Sequence, residues 1–447
     1  MAQLKLFGSA RGGARVAKRG KKEKPARQKK PLKALAIVLT VLLCLEGLYF
    51  LCIYSNIPFI VKYRTIYINT AMNTMRHQWL ATYFIPDNVI DKVRYEYGLQ
   101  VAASNGKESQ WGNADASAEV TKPTVNEIEA EIVEEEKPDP AEQARLAREA
   151  FFEVFWEIDE ASMDAYVAEH PDVIANGWDS IHINEAGIED EGTNIESIYG
   201  EQVLGIDAAN GVLLLRVKGK GYRGVLAVGK NPAALSVETC STYGTVGQKI
   251  GVTAEEHDGV LAMNASGFLD PGGNGNGGTV AGYAMSNGEE YGSHFTQWAY
   301  KRIELREDNR FYIKDASAPT GDGTTDATEF QPAMIIDGVK YTTDYWTDTQ
   351  PRACIGQSDK YEILMLVIEG RYPLDGIVGT SVNTCSDILL KHGCMQAINL
   401  DGGSSAMMWF DGKYVMQSSS SPLRYTGGRP TPNAWVYKRA SAISTEE

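Results

Sequence analysis

Cysteine and histidine are scarce in this chain: its 447 residues hold six of each. The cysteines, at 44, 52, 240, 354, 385 and 394, form no C-x-x-C pair and no metal-type Cys/His spacing, which removes zinc-ribbon and dithiol chemistry. The histidines, at 77, 170, 182, 257, 294 and 392, are scattered, whereas a zinc deacetylase needs His and Asp in a cluster. No G-x-S-x-G elbow occurs, so a serine acyl-hydrolase would lack its nucleophile turn. No internal repeat is found. Cys240, Cys354, Cys385 and Cys394 permit two disulfides, but Cys385 and Cys394 fall nine apart across an expected helix, too far to bond.

The formal net charge of -15 is unevenly spread: residues 1–33 carry eight Lys, four Arg and a single acid, Glu23. This basic tail runs directly into Ala34 to Tyr54, 21 residues with one charge, Glu46. At 1.5 Å per residue such a helix spans a hydrocarbon core of about 30 Å. The placement favours a cytoplasmic membrane flank over a nucleic-acid arm. An uncleaved signal anchor is expected, single-pass, amino terminus inside; a cleaved signal is the lesser option. Glu46 is expected to sit protonated or to face a partner helix.

Four further parts follow. Residues 55–102 read as a juxtamembrane stalk, in which YINTAMNTMRHQWLATYFIP (67–86) suits an amphipathic helix at the outer membrane surface or a plain stalk, with His77 interfacial rather than a ligand. Residues 103–139 lose large apolar side chains and gain Glu, the composition of a disordered acidic spacer. Residues 140–198 form a helical lead-in, capped by Asp139. From Tyr199 to Lys438, short apolar runs alternate with Gly, Asn, Asp and Pro. Strands are expected at 224–228, 259–264, 332–336, 352–356, 362–370, 395–400, 406–410 and 433–437. Asp337-Gly338 and Asp411-Gly412 read as hairpin turns. One helix is expected from Ser381 to His392, capped by Thr380 or Ser381 and ended by Gly393. The fold class is α+β, a strand-rich mixed-sheet domain with few helices, preceded by one transmembrane helix.

Four stretches carry candidate chemistry. In INLDGGSS (398–405) a strand runs into Asp401, Gly402, Gly403, Ser404 and Ser405, equally a tight hairpin or an anion or sugar site. In LAMNASGFLDPGGNGNGG (261–278) a strand ends at Asn264; Phe268 is core or a sugar-stacking face, and Asp270, Asn274 and Asn276 either hold calcium or, the better-supported alternative, sit in a mobile loop. Arg352 opens the apolar strand of PRACIG (351–356), a phosphate grip or a strand-end salt bridge. Glu369 and Arg371 end the strand of VIEGRYPLDG (367–376). His294 is an isolated candidate, more often structural than catalytic.

The co-linear order MNASGF, Asp-Gly hairpin, PRACIG, EGR, helix, INLDGGSSAM, Asp-Gly hairpin and RPTPNAWVY resembles the phosphodiester glycosidase domain family over about 199–438. Where many members read NGGFF and DGGGSS, this chain reads NASGF and DGGSS. The resemblance implies hydrolysis of a sugar-1-phosphodiester at the anomeric carbon, with a glycan or sugar-phosphate as substrate; the sequence itself requires no cofactor. It implies Asp401 as base or nucleophile, Glu369 as second carboxylate and Arg352 on the departing phosphate, with Arg371 in reserve. Asn264, Gly267, Gly402, Gly403, Ser404 and Ser405 would form the pocket, with Phe268 as stacking surface. The tail, span and YINTAM…HQWLA stretch are similar to membrane-anchored bacterial members linked to exopolysaccharide or envelope glycopolymers. The alternative is a non-catalytic glycopolymer-binding or assembly protein on the same fold.

Overall fold

The computed structural model describes residues 30–74, 77–111, 139–187, 192–271, 274–296, 300–342, 348–419 and 427–443. Most of the basic tail (1–29) and most of the acidic spacer (112–138) lie outside the described residues. The chain divides into two compact units, one ending at Ser55 and one from Asn56 to Glu447. The first contains helix α1 (Lys30–Tyr54), of which Lys33–Tyr54 has a mean hydropathy of 2.4.

The second unit is α+β and wholly antiparallel in its strand pairing. Its largest sheet has nine strands, in the spatial order His182–Asn184, Gln202–Asp207, Val212–Gly219, Tyr222–Gly229, Ile363–Ile368, Arg352–Ser358, Cys394–Asn399, Ala333–Ile336 and Val339–Lys340. A five-stranded sheet runs Lys413–Tyr414, Met408–Phe410, Gly259–Asn264, Asn433–Lys438, Leu235–Thr239. Another runs Phe311–Asp315, Lys301–Arg306, Thr324–Phe330, Tyr283–Ser286, Glu289–Gly292.

Period-two alternation explains why the central strands of the large sheet read as unbroken apolar runs. Ile363, Met365 and Val367 point into a core shared with Leu261, Met263, Phe410 and Trp435 of the first five-stranded sheet and Ile303 and Phe311 of the other. Leu364, Leu366 and Ile368 point the opposite way, into a second core. Four of the seven α-helices described between Asn56 and Lys391 close that core. In chain order the seven are α2 (Pro58–Met72), α3 (Trp79–Thr82), α4 (Asp87–Val101), α5 (Pro140–Val154), α6 (Glu160–Glu169), α7 (Ile250–Glu256) and α8 (Val382–Lys391). Val101 of α4, Phe151 of α5, Met163 of α6 and Val382, Cys385 and Leu389 of α8 line it. Helix α7 instead covers the outer face of the first five-stranded sheet, through Ile250 and Ala254. A short α9 (Ala440–Ile443) ends the described chain.

Local signals hold where they are self-contained. Asp139 caps α5 by accepting from the amides of Ala141 and Glu142, both at 2.9 Å. Ser381 caps α8 by accepting from Thr384 N at 3.1 Å, and Gly393 follows its end at φ 71°. Asp337-Gly338 and Asp411-Gly412 both have positive φ throughout, the twist a two-residue hairpin needs.

Where the sequence suggested a stalk and a lead-in, the structure packs both onto the sheets. Lys230 Nζ lies in the core 2.5 Å from Glu157 Oε1 and 3.0 Å from Glu362 Oε1, joining the segment after α5 to the large sheet. The chain beyond α4 also docks: Ser109 Oγ donates to Gln396 Oε1 (2.9 Å) and Trp111 Nε1 to Phe311 O (2.7 Å). All six cysteines are free thiols, and the four beyond α1 are buried.

Candidate active site

The turn from Asp401 to Ser405 is not a hairpin. The strand before it belongs to the nine-stranded sheet and the strand after it, Met408–Phe410, to a five-stranded one. The turn therefore carries the chain between sheets, at the mouth of their shared core. It is held from three sides. Asn264, fully buried at the end of its strand, donates from Nδ2 to Asp401 O (2.6 Å) and accepts from Met407 N (3.1 Å). Gly403 N donates to Pro351 O at 2.9 Å. Ser418 Oγ donates to Ser404 O at 3.1 Å.

Close approach explains the two glycines. A Cβ at Gly402 would sit 2.6 Å from Pro351 O, and one at Gly403, already at φ 59°, would sit 2.9 Å from Arg371 Nη2. Arg371 itself has φ 68°, a left-handed conformation that costs a non-glycine residue about 1 kcal/mol. The chain nonetheless carries an arginine there. Its Nη2 donates to Gln350 Oε1 at 2.7 Å, and its residue remains exposed.

Asp401 is partly exposed at this rim. Burial of its carboxyl raises its pKa to about 6, against the opposing pull of the Ser405 hydroxyl and the Arg429 and Arg371 guanidiniums, with Asp270 adding to the rise. Arg429 pairs with Asp270 at 2.5 Å, and its guanidinium lies 4.5 Å over the Phe268 ring. Asp401, Ser405, Arg371, Arg429 and Asp270 thus form one electrostatic cluster around the glycine turn. Tyr300 stands near enough for Asp401 to add to the burial that raises its pKa. Tyr300 meets Phe330 edge-on at 6.2 Å, and Phe330 approaches Gly267 so closely that a Cβ there would be 3.1 Å from its ring.

Three expected roles meet a different geometry. Arg352 pairs in register with Ile368, so it projects into the second core, on the helix side of the sheet. There it is buried, 2.9 Å from Asp348 Oδ2, donating to Asp348 O (2.8 Å) and Thr380 O (3.1 Å). Burial acts to lower its pKa, and Asp348 outweighs that and raises it. The strand-end salt bridge, not the phosphate grip, is what this guanidinium makes. Glu369 is 3% exposed; its carboxylate accepts from Arg223 Nε (2.6 Å) and from Gln417 N (2.8 Å). Phe268 is buried beneath Arg429, leaving no open stacking face.

The other candidates are also accounted for. Asp270 pairs with Arg429, while Asn276 Nδ2 donates to Thr245 O (2.8 Å) and its Oδ1 accepts from Gly278 N (3.1 Å). No group of three or more His, Cys, Asp or Glu suited to a metal occurs among the described residues. His294 is exposed; its Nδ1 lies 2.6 Å from Glu329 Oε1 and its ring stacks on Tyr283 at 4.2 Å. A cavity of about 790 Å³, lined by Arg216, Tyr222, Thr384 and Lys391 among others, includes none of the clustered site residues.

Sequence reasoning did not assign Arg429, although RPTPNAWVY belongs to the co-linear pattern. Its meaning depends on Asp270, 159 residues earlier.

Residues 257–438 match the model of a family described as phosphodiester glycosidase, a stretch that includes every motif of the co-linear set. Three solved structures are similar to this chain. The zebrafish N-acetylglucosamine-1-phosphodiester α-N-acetylglucosaminidase catalytic domain, auto-inhibited by its pro-peptide, is 15% identical, with 51% of this chain and 82% of that chain covered and a TM-score of 0.41. A putative exported protein from Burkholderia pseudomallei is 12% identical, with 48% and 74% covered and a TM-score of 0.38. A hypothetical protein from Synechocystis is 14% identical, with 54% and 65% covered and a TM-score of 0.35. No curated protein matches.

Proposed function

We propose that the second unit hydrolyses a sugar-1-phosphodiester, with Asp401 as general base and Arg371 and Arg429 facing the phosphate. The observation that carries this reading is the grouping of one partly exposed carboxyl, lifted to about 6, with two guanidiniums around a Gly-Gly-Ser turn. A carboxyl of that pKa is ionised at neutral pH yet basic enough to take a proton. Water attacks the anomeric carbon and gives its proton to Asp401. The carbon–oxygen bond to phosphate breaks, and its electron pair leaves on a phosphate monoester. That leaving group is already a weak base, so cations matter more to it than a proton donor does. Arg371 supplies one from its strained position, and Arg429 a second. Glu369 and Arg352 act as internal braces in this scheme, and the family match over 257–438 supports the reaction class.

We further infer that α1 anchors the chain in a membrane, amino end cytoplasmic and the second unit outside, in envelope or exopolysaccharide metabolism. The 22 residues of Lys33–Tyr54 are about 33 Å long as a helix, enough for a hydrocarbon core, and basic residues dominate the side before them.

The test offers the full chain in detergent a nucleotide sugar and measures free sugar. Release should collapse in Asp401→Asn. Equal release by wild type and Asp401→Asn would overturn the site. No release, with retained binding of glycan, would instead favour the binding-protein alternative.

A further inference from the structure

We propose that the aromatic face of α2 and α3 seats in the headgroup interface of the lipid bilayer; the proposal rests on the reading of α1 as a membrane anchor. Phe59, Tyr63 and Tyr67 recur every four residues and so form one stripe along α2. All three are exposed, Phe59 at 69%. The Phe59 and Tyr63 rings lie 4.7 Å apart. Tyr67 Oη donates to Leu80 O at 2.7 Å, tying the stripe to α3, where Trp79 and, just past its end, the 80%-exposed Tyr83 continue it with rings 6.3 Å apart.

The side of α2 away from the stripe and its carboxy-terminal turn are already occupied: Ile68, opposite the stripe, and Ala71 are buried, and at the last turn Thr70 Oγ1 accepts from Thr349 N (3.2 Å) and Asn73 Nδ2 donates to Asp348 Oδ2 (3.0 Å). A helix with one face spent on protein and an aromatic stripe on the other needs a second surface for that stripe. Two arguments select lipid. Only three residues separate Tyr54, the end of α1, from Pro58, the first residue of α2. The stripe is rich in Tyr and Trp, whose apolar bodies and polar tips suit the boundary between acyl chains and water. Lys62, exposed on the same helix, adds a cation for lipid phosphate. Because α2 also grips residues 348 and 349, lipid seating would steady the loop whose Pro351 carbonyl holds Gly403.

Trp79 is the first of eight tryptophans and the only one before Trp111. The experiment reconstitutes the full chain in phosphatidylcholine discs, with or without bromine on the acyl chains near the headgroups, and reads tryptophan emission. The expected result is a bromine-dependent loss of about one-eighth of the emission, one tryptophan in eight. That loss should vanish in Trp79→Phe and return when Tyr83→Trp is added. Equal quenching in wild type and Trp79→Phe overturns the proposal. Carbonate-resistant flotation with vesicles, without quenching, overturns the proposal and leaves the anchor standing; a patch covered by a second copy of the chain would behave this way. Failure to float overturns both.

Discussion

Replacing Asn264 by alanine tests whether that residue braces the catalytic turn or contacts substrate. Its amide makes two hydrogen bonds, to Asp401 O at 2.6 Å and from Met407 N at 3.1 Å, from a fully buried position. Met407 is buried too, so its orphaned N–H would cost about 1–3 kcal/mol. The Asp401 carbonyl sits at a partly exposed rim where water can replace the amide, so its loss costs about 0.5–1.5 kcal/mol. Together Asn264→Ala should destabilise by about 2–4 kcal/mol. Asn264→Asp should do at least as much harm, because it turns the donor facing a carbonyl into an acceptor. Urea unfolding of the full chain in detergent, with m unchanged, measures the loss. Sugar release measured beside it should show kcat falling more than KM rises, as the turn carrying Asp401 loosens. A destabilisation below about 0.5 kcal/mol would refute the brace, and a raised KM with stability intact would return Asn264 to substrate contact.

Four other outcomes are expected. Arg352→Ala should cost about 3 kcal/mol in urea unfolding, since it strands the buried Asp348 carboxylate, whereas Arg371→Ala should leave stability within about 1 kcal/mol and raise KM. Sugar release should rise as pH climbs through about 6, where Asp401 loses its proton, a limb that Asp401→Asn abolishes. Because the folded chain holds that proton more tightly than an ordinary aspartate does, this group's contribution to stability should fall between about pH 4 and 6, as urea titrations in wild type and variant would measure. Glu238 behaves oppositely: burial raises its pKa, but His257, Ser236 and Lys438 outweigh that and hold it at about 2. It should contribute stability above about pH 4.3 that is lost as pH falls toward 2, about 2–3 kcal/mol in full, and less so in Glu238→Gln.

What could be read from the sequence was whatever a few neighbouring residues decide. The caps at Asp139 and Ser381, the two Asp-Gly hairpins and the apolar strands depend on local geometry and period, so α+β and the strand positions around the site were legible. The motif order carried the family resemblance, and Asp401 at a strand end was visible as a candidate. Tertiary structure alone decided the direction and company of each charged side chain. Arg352 turned to the helix side because its register with Ile368 put it there, a one-residue parity that spacing does not report. Glu369 was claimed by Arg223, 146 residues away, and Arg429 was brought to Asp401 through Asp270, 159 residues away. Pairings at such separations are settled by how sheets stack, and a buried charge goes to whichever partner that stacking supplies, because burial unpaired costs more than any local preference returns.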